Sequence, residues 1–238
     1  MEATITIPGR CNGPPDSANG GYSCGLVADL VGGAAEVTLR SPPPLERPLE
    51  VRAEGDRVQV FDGETLVAEG RPGDPGVEPP APPDLALATS AAEAGRERWA
   101  DGHPFPTCVT CGPDRAPGDG LRIFPGPLPG GEIFAAPWTP DPSLAGDDGA
   151  VEAPWVWAAL DCPSSAPVNG GEGWSPVVLA RLTARLERSV AAGEPHVIVA
   201  WPIGADGRKH HTGSALFDRG GALCGIARAL WIELRNQP

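Results

Sequence analysis

The sequence predicts an α+β protein made of two similar halves, each with one helix followed by an antiparallel meander of strands. Apolar and polar residues alternate with period two in two separate regions, 35–69 and 177–234, with turn residues between the runs. Such a pattern is typical of antiparallel sheets with one wet face. A segment that can form a buried helix precedes each region. We therefore expect a structural repeat at about half the chain length.

The first half begins with the stretch DSANGGYSCGLVADLV at 16–31, whose apolar residues from Leu26 to Val31 have helical spacing. Short alternating runs with turns between them follow this helix. The strands that they predict are Ala35–Arg40, Leu49–Glu54, Arg57–Phe61 and Thr65–Glu69.

A Pro-rich segment at 71–88 is predicted to be an extended connector, and a short helix at Ala88–Trp99 follows it. Beyond a turn that carries two cysteines, we expect short strands at Leu121–Phe124 and Glu132–Ala136. These strands open the second half.

The second half repeats the plan of the first, with a helix expected within 154–168 and a meander after it. The chain is therefore predicted to divide into residues 1–100 and 101–238. The strands predicted for the second meander are 177–190, 196–204, 209–218 and 222–234.

Composition excludes two classes of partner. The chain has 18 Lys and Arg against 31 Asp and Glu, a formal net charge of −13. This charge argues against binding to nucleic acid or to an anionic membrane surface, although a local basic patch can still bind a small anionic ligand. The apolar fraction of 41% is ordinary for a globular protein.

The chain is expected to be soluble and cytoplasmic. Its N-terminal segment MEATITIPGR has neither the basic nor the apolar region of a signal peptide, and no run of apolar residues is long enough to span a bilayer. The six cysteines are scattered, which suits a reducing compartment better than a disulfide scaffold.

Four stretches resemble the double-hotdog acyl-CoA thioesterases. NGGYSCGLVADL is similar to the start of their central helix, and VTLRSPPPLERPLEVRAEGDRVQVFDGETLVAEGR to the strands that follow it. CVTCGPDRAPGDGLRIF is similar to an entry strand of small hotdog thioesterases, and GRKHHTGSALFDRGGALCGIARALWI to the closing hairpin. The resemblance covers most of residues 1–70 and 103–234. It implies a double hotdog, in which each half wraps a curved antiparallel sheet around a central helix. It also implies an enzyme that processes a small-molecule acyl thioester without a cofactor, with CoA or a carrier protein as the thiol, and it leaves homo-oligomer formation open.

In this family an acidic residue at the second helix acts with a Thr or Ser and a Gln on neighbouring strands. The resemblance assigns the acidic role to Asp161 and places Arg228 where the family has Gln. Arg228 at that position favours a second hypothesis, a non-catalytic acyl-CoA-binding or lipid-binding protein. A hotdog dehydratase ranks below both, because its chemistry uses an Asp–His pair and no histidine lies near the first helix.

Asn19, Gly20 and Gly21 stand at the start of the first helix. Amides of a first helical turn have no partner within the helix and carry the positive end of its dipole. Because glycine has no side chain, a thioester oxygen can approach these amides, and they can stabilise an oxyanion. The alternative is a glycine turn that only lets the helix enter a crowded sheet. Asn19 either caps the helix or orients the attacking water.

Asp161 has two compatible roles. It precedes Cys-Pro-Ser-Ser, so it can cap the second helix with Pro163 in the first turn. As a functional residue it would be a general base that activates water against the acyl carbon.

Cys108 and Cys111 have the spacing of a zinc ligand pair, but a structural zinc site needs four ligands. Only His103 lies nearby, and the other cysteines form no second pair, so we expect a tight turn and no metal. A thioredoxin-like redox role is weaker still, since no strand–helix–strand unit surrounds the motif.

A basic cluster lies on the closing hairpin, where alternation points His210 and His211 to opposite faces. Arg208, Lys209 and His211, together with Arg228, are candidates to bind CoA phosphates. The alternative is a solvated hairpin. Residues that we expect to face the same cleft are Thr212, Ser214 and Arg228.

The tryptophans are predicted to lie in the core, because no basic residues are interleaved with them as on a surface that binds single strands. They are Trp155, Trp157, Trp174, Trp201 and Trp231.

Overall fold

The computed structural model describes residues 3–169 and 176–234, which form one antiparallel sheet of eleven strands and three α-helices. The helices are α1 (Gly20–Val31), α2 (Leu85–Ala100) and α3 (Ala153–Asp161). The strands are β1 (Ala3–Thr6), β2 (Ala35–Leu39), β3 (Pro48–Glu54), β4 (Arg57–Asp62), β5 (Thr65–Pro72), β6 (Gly126–Pro127), β7 (Phe134–Trp138), β8 (Val177–Leu186), β9 (His196–Asp206), β10 (Lys209–Phe217) and β11 (Leu223–Glu233). Within these ranges no helix is long and apolar enough to cross a membrane.

The sheet has the same strand order on either side of its centre. The full order is β1-β3-β4-β5-β2-β8-β11-β10-β9-β7-β6, so that β2 and β8 pair in the middle. In that pair Val37 lies opposite Leu182. Outward from the centre, β5-β4-β3-β1 on one side correspond to β11-β10-β9-β7 on the other, and β6 is an additional edge strand. The predicted repeat of a helix and a meander is therefore confirmed, while the division at residue 100 stays a prediction.

Helices α1 and α3 pack against each other through two glycines of α1. A Cβ atom on Gly21 would lie 2.7 Å from the carbonyl oxygen of Trp157, and one on Gly25 would lie 2.5 Å from Cα of Pro154. Glycines spaced four residues apart face the same side of a helix, so the two backbones approach more closely than any side chain would permit.

The core lies between these two helices and the inner face of the sheet. Alternating residues of the central strands point into it, for example Val37 of β2, Leu182 of β8 and Ala227 of β11. Helix α2 covers the opposite face of the second half, where Ala88 packs with Val199 and other strand residues. The helix predicted at Ala88–Trp99 is thus confirmed, and it begins three residues earlier, at Leu85.

The predicted strands agree with the structure except in the middle of the chain. Residues 121–124 do not form a strand, because Arg122 has a left-handed φ of 53° that breaks the extended backbone. Instead the N–H groups of Leu121 and Ile123 donate to the carbonyl oxygens of Val109 and Thr110. Edge strand β1 was not predicted.

Most of the tryptophan prediction holds in the structure. Trp155, Trp157 and Trp231 are buried, and Trp201 is half-buried. Trp174 lies outside the described residues.

Candidate active site

A cavity of about 640 Å³ opens where the start of α1 meets the end of α3. Its wall is mainly apolar, with Leu39 from β2, Leu179 from β8 and Trp231 from β11. Asn19 and Asp161 form its polar end, where the two helices meet, and other polar residues that line it include Asp16, Arg40 and His103. An apolar cavity with a few convergent polar groups is the usual form of a ligand site.

Asn19 caps α1, as one of its two predicted roles required. Its Oδ1 accepts a hydrogen bond of 2.8 Å from the N–H of Tyr22. Its Nδ2 donates to Oδ2 of Asp161 over 3.2 Å. Asn19 is 2% exposed, so its side-chain amide is buried. This one amide both caps the helix and orients the carboxylate of Asp161.

Asp161 is 1% exposed, and its two oxygens have different surroundings. Oδ2 accepts a hydrogen bond of 2.7 Å from the backbone N–H of Gly21, in addition to the one from Asn19 and a long contact of 3.8 Å from the thiol of Cys162. Oδ1 is buried and has no hydrogen-bond partner among the residues that the structure describes. Burial raises the pKa of Asp161 to about 7 despite the hydrogen bonds to Oδ2, which favour the charged form.

The prediction that Asp161 caps the second helix is wrong. Helix α3 begins at Ala153 with Glu152 as its N-cap, and Asp161 is its last residue. A short 3₁₀ turn at Cys162–Ser165 follows, and the Asp161 side chain makes no capping hydrogen bond to it. The carboxylate instead accepts from the first turn of α1, so it lies at the positive end of that helix.

Hydrogen bonds from residues of the sheet and of the turn after α3 fix the backbone at Asp161. The hydroxyl of Ser214 in β10 donates to the carbonyl oxygen of Leu160 over 2.6 Å. Ser164 donates to the carbonyl oxygen of Asp161 over 2.7 Å, and the indole N–H of Trp231 donates to Ser164 over 2.9 Å. Ser214 therefore lies under the end of α3, with Thr212 also buried on the same strand.

The two glycines at the start of α1 differ in their surroundings. Gly20 lines the cavity, and no residue of the described chain accepts a hydrogen bond from its N–H. The N–H of Gly21 is already bound to Asp161, and a Cβ at Gly21 would lie 2.3 Å from Cβ of Asp161. The glycine pair predicted as one oxyanion site thus divides into a cavity residue, Gly20, and a packing residue, Gly21.

Only one end of the helix pair carries this polar set. The donor Gly21 is the second residue after the N-cap of α1, and the equivalent residue of α3 is Pro154. The acceptor Asp161 is the ninth residue after the N-cap of α3, and the equivalent residue of α1 is Ala28. Proline has no N–H to donate, and alanine has no carboxylate. The equivalent position at the start of α3 therefore lacks both partners.

The predicted basic cluster lies outside the cavity wall. Arg228 is exposed, between the core residues Ala227 and Ala229, so its side chain points away from the helices. The expectation that Arg228 faces the cleft of Asp161 is therefore wrong. The reason is the alternation of β11, which places Arg228 and the neighbouring core residues on opposite faces of the sheet.

The remaining basic residues lie at the end of the hairpin near the cavity. Lys209 pairs in register with Ile232, which lines the cavity, and Arg208 donates to the carbonyl oxygen of Glu233 over 2.9 Å. Burial and the charge of Arg228 lower the pKa of His211. Arg40 also lines the cavity, where it pairs with Glu69, so Arg208 and Lys209 are the basic residues of the predicted cluster that lie next to the cavity wall.

A third cysteine lies beside the Cys108–Cys111 motif. Cys162, which follows Asp161 directly, brings its sulfur to 3.7 Å from that of Cys108, and the three sulfurs lie within 4.8 Å of one another. Hydrogen bonds from the thiols of Cys111 and Cys162 hold the pKa of Cys108 well below its usual range. Spacing along the chain argued against a metal because it revealed no further cysteine ligand, and the fold supplies one. The signal that was missed is the Asp161–Cys162 dipeptide, whose two members face the same cavity.

Comparison with known proteins agrees with this architecture. No protein-family model and no curated protein sequence matches the chain. Among solved structures, a candidate thioesterase II from Thermobifida fusca is 16% identical, with a TM-score of 0.60 over 98% of this chain and 96% of that one. The TesB protein of Mycobacterium avium subspecies paratuberculosis is 13% identical, with a TM-score of 0.61 over 97% and 91%. A hot dog fold protein from Alicyclobacillus acidocaldarius is 9% identical, with a TM-score of 0.62 over 99% and 93%.

Proposed function

We propose that this chain, which has the double-hotdog fold, hydrolyses an acyl thioester in the cavity beside Asp161. The observation that carries the proposal is a buried carboxylate oxygen, Oδ1 of Asp161, that has no partner among the described residues and belongs to the polar end of an apolar cavity. A buried polar atom without a partner is costly, so its retention points to a role in chemistry.

The cavity suits an acyl chain. Its wall of Leu39, Val177, Leu179 and Trp231 is apolar, and burial of each methylene contributes about 0.8 kcal/mol to binding. The polar end then meets the thioester group. This arrangement places the least polar part of the substrate against the sheet and the reacting carbon near Asp161.

Asp161 is suited to act as a general base. Two donors, Gly21 and Asn19, hold Oδ2, so the orientation of the carboxylate is set and Oδ1 is left to take a proton. In the proposed reaction Oδ1 removes a proton from water while the water oxygen bonds to the acyl carbon. The carbon–sulfur bond then breaks, and the leaving thiolate takes the proton from Oδ1 of Asp161, which restores the carboxylate.

Gly20 is the candidate donor to the oxyanion. Its N–H belongs to the first turn of α1, lines the cavity and is not bound to Asp161 as that of Gly21 is. Amides at a helix N-terminus stabilise negative charge that develops in the transition state.

The substrate class is supported by the solved structures as well. The TesB protein and the candidate thioesterase II share the fold of this chain over nearly its whole length. Arg208 and Lys209 near the cavity mouth are available for the phosphates of CoA.

A non-catalytic acyl-CoA-binding or lipid-binding protein is the second candidate. It is favoured by the hydrogen bonds that Oδ2 of Asp161 already accepts from Gly21 and Asn19, because these bonds also give the carboxylate a purely structural role, in which it joins the two helices. Both candidates use the same cavity and differ only in turnover.

The test is a thiol-release assay with short, medium, long and aromatic acyl-CoAs, run with the parent protein and with Asp161→Asn. We expect the parent to release CoA from at least one class and the variant to bind the same thioester without releasing it. Binding of acyl-CoA without turnover by the parent would overturn the hydrolase and establish the second candidate. Neither binding nor turnover would overturn both.

A further inference from the structure

We propose that Cys108, Cys111 and Cys162 bind a zinc ion through their thiolates at the wall of the cavity. Nothing in the hydrolysis proposed above requires this ion. The inference is based on the placement of the three sulfurs, on the loop that carries two of them and on the donors around them.

The sulfurs have the spacing of a metal centre. Those of Cys108 and Cys162 are 3.7 Å apart, and all three lie within 4.8 Å of one another. A tetrahedral zinc ion with zinc–sulfur bonds of about 2.3 Å separates its sulfur ligands by about 3.8 Å. A small adjustment of Cys111 therefore completes three corners of a tetrahedron.

The loop from Cys108 to Gly112 is a tight turn. The N–H of Gly112 donates to the carbonyl oxygen of Cys108 over 2.8 Å, and a Cβ at Gly112 would lie 2.5 Å from that oxygen. This turn brings Cys108 and Cys111, which are three residues apart, to one place on the cavity wall.

The third ligand comes from the other side of the cavity. Cys162 is 54 residues away from Cys108 and is fixed by the end of α3. The side-chain amide of Asn19 lies 3.4 Å from the sulfur of Cys162 and 3.8 Å from that of Cys108. Asn19 is thus an outer-shell donor to two ligands as well as to Asp161.

The chemistry of the donors selects the metal. Thiolates are soft ligands that prefer zinc to magnesium or calcium. All three cysteines line the cavity, which gives an ion a path of entry. With three protein ligands, the fourth position is left to the cavity that the three cysteines line.

The other cysteines provide the control. Cys11, Cys24 and Cys224 are also buried and unpaired, but the described residues place none of them in such a cluster. Cys224 lies on β11 and contacts the carbonyl oxygen of Ala222, far from the motif in sequence. Cys224→Ser therefore removes a buried thiol without removing a proposed ligand.

The first experiment measures metal content. The full chain is purified under reducing conditions without chelator from a zinc-supplemented culture and analysed by inductively coupled plasma mass spectrometry. We expect close to one zinc per chain in the parent and in Cys224→Ser, and at least about tenfold less in Cys108→Ser, Cys111→Ser and Cys162→Ser. Equal zinc in the parent and in these three variants would overturn the proposal.

The second experiment needs no variant and so does not depend on how the variants fold. The parent is stripped of metal, kept reduced, checked for folding by circular dichroism and titrated with Co²⁺. We expect a thiolate-to-cobalt charge-transfer band and the visible bands of a tetrahedral centre, both removed by added Zn²⁺. A folded, reduced protein that gives neither band would overturn the proposal. Both readouts are taken without substrate, so a zinc protein that hydrolyses nothing would contradict only the proposed hydrolysis.

Discussion

The backbone N–H of Gly21 donates to Oδ2 of Asp161 over 2.7 Å, across the interface between the two central helices. The bond joins the first turn of one helix to the last residue of the other. It explains why a glycine stands at this point of a buried helix, because any side chain would separate the donor from the carboxylate. It also leaves Oδ1 of Asp161 as the atom available for chemistry.

Asp161→Asn tests the proposed base. Asparagine has nearly the same shape, and its Oδ1 can still accept from Gly21, so the helices remain joined. We expect turnover to fall by about 10²–10⁴-fold, because general-base catalysis contributes about that much. Affinity for a non-hydrolysable acyl-CoA analogue, measured by calorimetry, is expected to stay near that of the parent.

Asp16→Asn is the matched control, since Asp16 also lines the cavity but is exposed. This variant is expected to turn over at the parent rate. Equal rates for Asp161→Asn and Asp16→Asn would show that the buried carboxylate has no catalytic role.

Gly21→Ala and Gly20→Ala separate the two glycines. At Gly21 a Cβ would meet Cβ of Asp161 at 2.3 Å and the backbone of α3, neither of which can move without separating the helices. We expect a loss of about 1–3 kcal/mol in the free energy of unfolding, as for other overpacked cores. At Gly20 the new Cβ would meet only side-chain atoms of Leu179 and Leu39: Cδ2 of Leu179 at 2.9 Å, which can rotate, and Cβ of Leu179 at 3.1 Å, which needs a small shift.

Because the contacts at Gly20 are with side chains and not with the backbone of α3, Gly20→Ala is expected to have a free energy of unfolding close to that of the parent. Urea titration of both variants measures the difference. If Gly21→Ala proves as stable as Gly20→Ala, the close approach of α1 and α3 does not require glycine.

Asn19→Ser and Asn19→Ala separate the cap from the site. Serine can still cap α1, whereas alanine cannot, so only alanine is expected to lose the full capping contribution of about 1 kcal/mol. Both variants lose the amide that donates to Asp161, Cys108 and Cys162. We therefore expect Asn19→Ser to have a higher Tm than Asn19→Ala in thermal melts, while turnover falls to a similar extent in both variants. Full activity in Asn19→Ser would mean that Asn19 acts only as a cap.

The sequence predicted most helices and strands well, because the buried residues of each element recur with the period of its backbone geometry. Strands such as β4 alternate between core and solvent, and this alternation is visible in the order of residues. Arg122 shows where such patterns fail, since its left-handed backbone leaves no trace in hydrophobicity.

The site was predictable only in part, for a different reason. Asn19 and Gly20 stood out because the start of a helix carries a local signal, whereas Asp161 was assigned from the family resemblance. The sulfur contact between Cys108 and Cys162 joins residues 54 positions apart and depends on how the loop at 108–112 packs against the end of α3, which no local pattern records. Arg228 was assigned to the wrong face because a closing strand can be aligned to a family without fixing which of its residues point inward.

Lys209→Glu tests whether the thiol is CoA. Lys209 is exposed and pairs with Ile232 of the cavity wall, so a phosphate near the cavity mouth lies within reach of its charge. We expect the KM for acyl-CoA to rise several-fold at low salt, with a smaller effect at high salt because exposed charges are screened. Hydrolysis of the same acyl group on N-acetylcysteamine, which has no phosphate, is expected to be unchanged. Arg57→Glu, at the exposed start of β4, is the charge-matched control and is expected to change neither KM. An unchanged KM for acyl-CoA in Lys209→Glu would remove this residue from CoA recognition and favour a carrier-bound substrate.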